Sequence, residues 1–274
     1  GSPLPSRVAA DLAVDLARLF SARIDAVYLD EQDLVAAAAH TFACEIGRNG
    51  RMIGPLDKHR LEAERRSVRA AALAAFRNLT CHADVIVDTR IPSRVDSVSL
   101  GSICADEGPW NIVVFADHGN WPTPAGCTEL LDGGGATALI MAGRHARRRP
   151  GPPLLLISEP DRLPVMLRTA RILSELTPPS TMPALLMPVQ TFSGSASDID
   201  LEGTLRLAIS AMPETSAPKL VRMHAAVMDV PTELDIVERQ RPAFILAHTT
   251  DDESVTAHTL RLIAAAGCPA VVVR

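Results

Sequence analysis

The chain has 274 residues, a formal net charge of −5, and 47% hydrophobic residues of which few are aromatic. This length suits two domains of about 130 residues, and the acidic balance argues against nonspecific nucleic-acid binding, which needs a basic field to release phosphate counterions. Five isolated cysteines (Cys44, Cys81, Cys104, Cys127 and Cys268) argue against a disulfide framework or a zinc site, and without a signal-peptide pattern or a long apolar run the expectation is a cytoplasmic protein with no membrane insertion.

Arg7 to Phe20 has apolar residues at helical spacing with charges between them, and Arg23 to Leu29 alternates as a short strand. Leu56 to Leu79 predicts a long helix whose Glu62, Glu64, Arg65, Arg66 and Arg69 form a charged face, solvated or partner-facing. A strand is predicted at Val85 to Val87, a helix from Ser93 to Ala105, a buried strand from Asn111 to Ala116, and a last strand of the half from Ala136 to Met141. The basic run Arg144 to Arg149 is followed by Pro150-Gly151-Pro152-Pro153 and reads as a solvated linker.

The same order then returns. Strands are predicted at Pro153 to Ile157, Ala184 to Met187, Leu220 to Met223, Ala243 to Ala247 and Ala270 to Val273. Helices are predicted at Leu163 to Leu176, Asp200 to Ala211, Thr232 to Arg239 and Asp252 to Ala266. Alternating strands and helices imply parallel sheets covered on both faces. A repeat of about 130 residues suits duplicated domains better than a solenoid. The division expected is residues 1–143, a linker at 144–152, and residues 153–274. One asymmetry stands out: the second half opens with a strand, whereas the first goes from Gly1-Ser2-Pro3 directly into its helix. Either the leading strand lies upstream of Gly1 or another arrangement replaces it.

In order and texture the chain resembles the universal stress protein family in its tandem form. The likeness rests on Gly1-Ser2-Pro3 leading to Asp15-Leu16-Ala17-Arg18, on Tyr28-Leu29-Asp30 continuing to Phe42-Ala43-Cys44-Glu45-Ile46, and on the closing Gly267-Cys268-Pro269-Ala270-Val271-Val272-Val273. It implies an α/β fold of two tandem Rossmann-like (adenine-nucleotide α-hydrolase-like) domains with parallel sheets. It also implies a family whose members bind ATP or simply dimerise. ATP-binding members carry glycines after the fourth strand, so that backbone N–H groups can approach phosphate. Here the equivalent segments are Ala116-Asp117-His118-Gly119, with Glu129-Leu130 where the final Gly-Ser is expected, and Ala247-His248-Thr249-Thr250-Asp251-Asp252-Glu253-Ser254. A carboxylate facing a phosphate at 4 Å is repelled by about 1 kcal/mol even in a water-like dielectric. Both loops read as degraded, so no cofactor is expected, with ATP through a degraded motif as the one kept open.

The candidate pocket residues are Asp117, His118 and Gly119 in the first half and His248 and Thr249 in the second, all at the carboxyl ends of predicted strands, where α/β sheets place ligands. Helix capping is the competing role for them. His40, His59, His82 and His224 are read as surface or satisfied residues, and Gly133-Gly134-Gly135, which precedes a strand, as a turn. No Gly-x-Ser-x-Gly is present, and no catalytic residue is assigned. The function expected is a nonenzymatic regulatory or interaction protein with a protein partner. The two halves would pair as an internal pseudo-dimer, or two chains as a homodimer, through edge strands near Leu139 and Val272. The alternative is a nucleotide or small-anion sensor with a residual pocket, and a hydrolase acting through His118 or His248 is a third reading.

Overall fold

The computed structural model describes residues 6–27, 40, 42–46, 49–55, 57–90, 104, 111–116, 121–133, 136–143, 146–175, 184–188, 201–211, 219–220 and 230–274. The first half runs α1 (Arg7–Leu19), β1 (Ile24–Val27), β2 (Cys44–Ile46), β3 (Met52–Pro55), α2 (Lys58–Thr80), β4 (Val87–Arg90), β5 (Asn111–Phe115), α3 (Pro124–Asp132) and β6 (Ala136–Met141). The second runs β7 (Leu154–Ile157), α4 (Leu163–Ser174), β8 (Leu185–Pro188), α5 (Leu201–Ser210), β9 (Lys219–Leu220), α6 (Val230–Gln240), β10 (Ile245–His248), α7 (Glu253–Ala265) and β11 (Ala270–Val273). These are tandem Rossmann-like α/β units. The helix predicted from Ser93 to Ala105 falls outside the described residues except at Cys104, as do 221–223 of the strand predicted from Leu220.

The helices begin where local chemistry satisfies their free N–H groups. Ser6 caps α1 by accepting from the Ala9 N–H at 3.3 Å. Asp57 caps α2 by accepting from the N–H groups of His59 and Arg60. In α1, Ala9, Leu12 and Leu16 recur at helical spacing and enter the core. By contrast α2 buries little beyond Ala72 and Thr80, and Arg60–Glu64 and Lys58–Glu62 pairs line its surface.

One seven-stranded sheet, in the order β5-β6-β11-β10-β7-β8-β9, joins the two halves. The second half supplies β9-β8-β7-β10-β11, all parallel. The sheet departs from parallel pairing at the seam, where the edge strands expected to meet near Leu139 and Val272, β6 and β11, pair antiparallel with Leu139 opposite Val272. Each is the last strand of its half, and the pairing covers two apolar edges that would otherwise be open to aggregation. A second departure lies in the first half. There β1 and β4 form a separate two-stranded parallel sheet, not hydrogen-bonded to β5.

Strand alternation divides the core into two layers. On one face Leu139, Met141, Leu154, Leu156, Ile245, Ala247, Ala270 and Val272 pack beneath α3, α6 and α7. On the other, Ala138, Ile140, Leu155, Ile157, Leu246, Val271 and Val273 pack beneath α1, α4 and α5. Both layers cross the seam, so the halves share their cores.

Arg147, Arg148 and Pro150 in and after the basic run are exposed, and further contacts tie the segment to the fold. Ala146 is buried, the Arg147 N–H donates to the Gly267 carbonyl at 3.2 Å, and Arg148 pairs with Asp15 of α1 at 2.6 Å. The opposite charge on α1 and the open carbonyl before β11 draw it onto the fold; Arg144 and His145 lie outside the described residues. The segment β2–β3, an antiparallel hairpin, was not among the predicted strands. Its Asn49-Gly50 turn, with Gly50 at φ +74°, is a standard hairpin signal. The exposed Ile46, Met52 and Ile53 lack the one-sided burial on which strand periodicity depends.

Candidate functional site

In the second half, chain order runs from β7 outward to β8 and β9, then returns to β10 and β11 on the other side. The reversal puts a switch point between β7 and β10, where doubly wound sheets place their ligands. Ser158 follows β7 there, and His248 ends β10. The Ser158 N–H donates to His248 Nε2 at 3.2 Å, and Ser158 Oγ lies 3.3 Å from the same nitrogen. An N–H can only donate, so Nε2 carries no proton and Nδ1 does; Nδ1–H then donates to the Thr249 carbonyl at 3.2 Å.

His248 is 3% exposed. Burial lowers its pKa below the ordinary histidine range; the Thr249 carbonyl and the Glu159 charge oppose the shift, and Arg162 adds to it. A neutral imidazole with both nitrogens occupied results. It bridges the ends of two central strands. Glu159 and Arg162 pair with each other at 3.2 Å beside it.

The next loop is closed on itself. The Thr249 N–H donates to the Val273 carbonyl at 2.9 Å, Thr250 N–H donates to Thr256 Oγ1 at 3.3 Å, and Thr250 Oγ1 donates to the Asp252 carbonyl at 2.9 Å. Asp252 caps α7, its carboxylate accepting from the Ser254 N–H at 2.8 Å, the Ser254 hydroxyl at 2.6 Å and the Val255 N–H at 3.4 Å. The Ser254 side chain and backbone hold the Asp252 carboxyl below its usual range, although the group is exposed. The N–H groups that a phosphate would seek at this helix start already bind an anion of the protein's own.

The first half differs in detail. Asp117, His118 and Gly119 lie outside the described residues. The helix after β5 starts at Pro124, capped by Thr123 accepting from the Gly126 N–H at 3.1 Å. Glu129 is therefore exposed deep within α3 and Leu130 is 1% exposed, so the expectation of a carboxylate at the phosphate position is corrected. Thr123-Pro124, a cap followed by proline, is the signal that fixes this start.

Of the candidate residues, His248 and Thr249 meet at one place, and Ser158 joins them. Ser158 was legible only through strand order, because it lies 90 residues from its partner. A serine hydroxyl beside a neutral imidazole has the outline of a nucleophile–base pair. Here, however, Nε2 is shared with a backbone N–H, and the far nitrogen meets a carbonyl oxygen, not the carboxylate that would stabilise an imidazolium. His40, His59 and His82 are exposed as expected; His224 lies outside the described residues. A pair between the partly buried His258 and the buried Glu233, linking α7 to α6, was not foreseen.

All five cysteines are free, and burial pushes the Cys127 and Cys268 thiols up to about 12, which leaves them unreactive. Among the described residues no group of three or more His, Cys, Asp and Glu side chains is arranged to hold a metal ion, and no helix is long and apolar enough to cross a membrane.

No family model matches the chain, and no curated protein does. Among solved structures the chain is similar to PA1789, a functionally unknown protein from Pseudomonas aeruginosa PAO1, with 12% sequence identity, a TM-score of 0.46 and 94% of each chain covered.

Proposed function

We propose that this is a nonenzymatic regulatory or interaction module of the universal-stress-protein kind, which does not hold ATP through a phosphate loop. The observation that carries the reading is the occupied start of α7, where the Asp252 carboxylate accepts from Ser254 and Val255. A triphosphate would have to displace a covalently tethered anion and then face its charge. The His248–Ser158 bridge at the neighbouring switch point supports the same reading, because both imidazole nitrogens already have partners within the chain. The antiparallel seam of β6 with β11 supports an internal pseudo-dimer, in which one chain presents two like units back to back.

Titration calorimetry with MgATP checks this directly. No saturable heat is expected at millimolar nucleotide, and a Kd of millimolar or tighter would overturn the proposal. Binding of inorganic phosphate or pyrophosphate without ATP would instead select a small-anion sensor. Ester or nucleotide hydrolysis lost in His248→Ala would select a hydrolase.

A further inference from the structure

Ten large hydrophobic side chains stand exposed among the described residues, and four of them fall between Phe42 and Ile53. Single exposed apolar residues are ordinary, but a cluster marks a contact surface. Phe42 is 84% exposed, Met52 72%, Ile46 68% and Ile53 64%, so the rest of the fold shelters none of the four.

Three of them belong to the β2–β3 hairpin, a two-stranded sheet joined to no other strand among the described residues, and Phe42 leads into it. The register collects its apolar residues. Cys44 and Ile46 alternate to the same side of β2, with Pro55 opposite Cys44 and Met52 opposite Ile46. The register shift leaves Ile53 beside Met52 as the extra residue of a bulge. Cys44 and Pro55 are exposed as well. A lone two-stranded ribbon is marginal in water and needs its apolar face covered.

The charges around this face are mainly basic. Residues 42–60 hold Arg48, Arg51, Lys58 and Arg60 against Glu45 and Asp57, in a chain whose net charge is −5. Asp57 is already committed as the cap of α2. Arg51, directly before Met52, is exposed, and the exposed Lys58 comes no nearer to Glu62 than 3.9 Å. Two copies meeting through this face would bring like charges together. Edge pairing between copies is also poorly served, because the strands span only three and four residues and Pro55 has no N–H to donate. An anionic lipid surface suits both features, since its acyl chains accept apolar side chains and its headgroup phosphates attract arginine and lysine.

We propose that the β2–β3 hairpin is a docking surface for an anionic lipid bilayer. Ile46, Met52 and Ile53 enter the acyl boundary, and Arg51 and Lys58 lie at the level of the headgroup phosphates. The contact is peripheral and requires no helix long and apolar enough to cross the bilayer. It goes beyond the reading of the α7 start, and holds whether or not a nucleotide binds there.

Co-sedimentation with vesicles tests the surface. The full chain should partition onto phosphatidylcholine vesicles containing about one-third phosphatidylglycerol. Partition should fall at least fivefold on phosphatidylcholine alone, or when salt shortens the Debye length to about 3 Å. Ile46→Ser, Met52→Ser and Ile53→Ser combined should cut binding to the anionic vesicles at least tenfold. Arg51→Glu should cut it about fivefold or more, the share of one basic residue near the surface. Tm should stay unchanged in both variants, because all four side chains are exposed. No partition onto anionic vesicles, or partition untouched by the triple substitution, would overturn the proposal. A lowered Tm in the triple variant would overturn it too, by showing that the face is packed within the free protein. So would a concentration-dependent dimer in sedimentation that the triple substitution abolishes, since a second copy would then be the occupant.

Discussion

At the residue scale His248 gives the clearest consequence. Its pKa is lowered by burial, so in the folded protein the imidazole stays neutral at a pH where the unfolded chain already takes up a proton. The stabilisation is complete above the unfolded value of about 6.5 and is lost as pH falls from there through the folded value. Urea unfolding at pH 7.5 and pH 5.5 should therefore show lower stability at the acid end. His248→Gln should flatten part of that slope, and the difference between the two proteins isolates this group from the other histidines. Identical slopes would show that His248 does not stay neutral. His248→Ala should also cost about 1–3 kcal/mol at pH 7.5, because the Ser158 N–H loses its acceptor. Gly151 is a second single-residue constraint. A Cβ there would run into the carbonyl oxygen of Arg241, itself held at φ +47°. Both partners are backbone and cannot swing aside, so Gly151→Ala should lower the urea midpoint, whereas Ala at the unobstructed Gly50 should act only through its positive φ.

At the scale of elements, existence and type were largely legible, and their boundaries less so. The run Ala136–Met141 reads as a strand to the residue because both faces are apolar and a turn precedes it. The strand predicted at Val85 to Val87 lies instead at Val87–Arg90. Its polar Asp88, Thr89 and Arg90 carry no hydrophobic signal, and pairing with β1 sets its position. The Asn49-Gly50 hairpin was written in turn chemistry, not in periodicity. For the site, His248 and Thr249 could be named from their place at a strand end. The Ser158 contact could not, because it depends on β7 and β10 being neighbours in the sheet. Asp252 was visible as an acidic residue before a helix, but only its contacts with Ser254 and Val255 show that it caps α7.

At the scale of the molecule, the seam decides whether the two halves behave as one cooperative unit. Leu139 and Met141 from the first half share a layer with Val272, Ile263 and Leu185 from the second, and the β6–β11 ladder runs through it. Disruption of the second half should therefore reach the first. Both tryptophans, Trp110 and Trp121, belong to the first half, and Trp121 packs against the shared layer. Tryptophan fluorescence consequently reports on the first half, while far-ultraviolet circular dichroism reports on all helices and strands. With a coupled core the two probes should give coincident urea transitions. Leu185→Ala, a core truncation on β8 well away from the seam, should cost about 2–5 kcal/mol. Through the shared layer it should move the fluorescence midpoint as far as the dichroism midpoint. If dichroism shifted and fluorescence did not, the seam would join two independently folding halves, and a single sheet of seven strands would not amount to a single cooperative core.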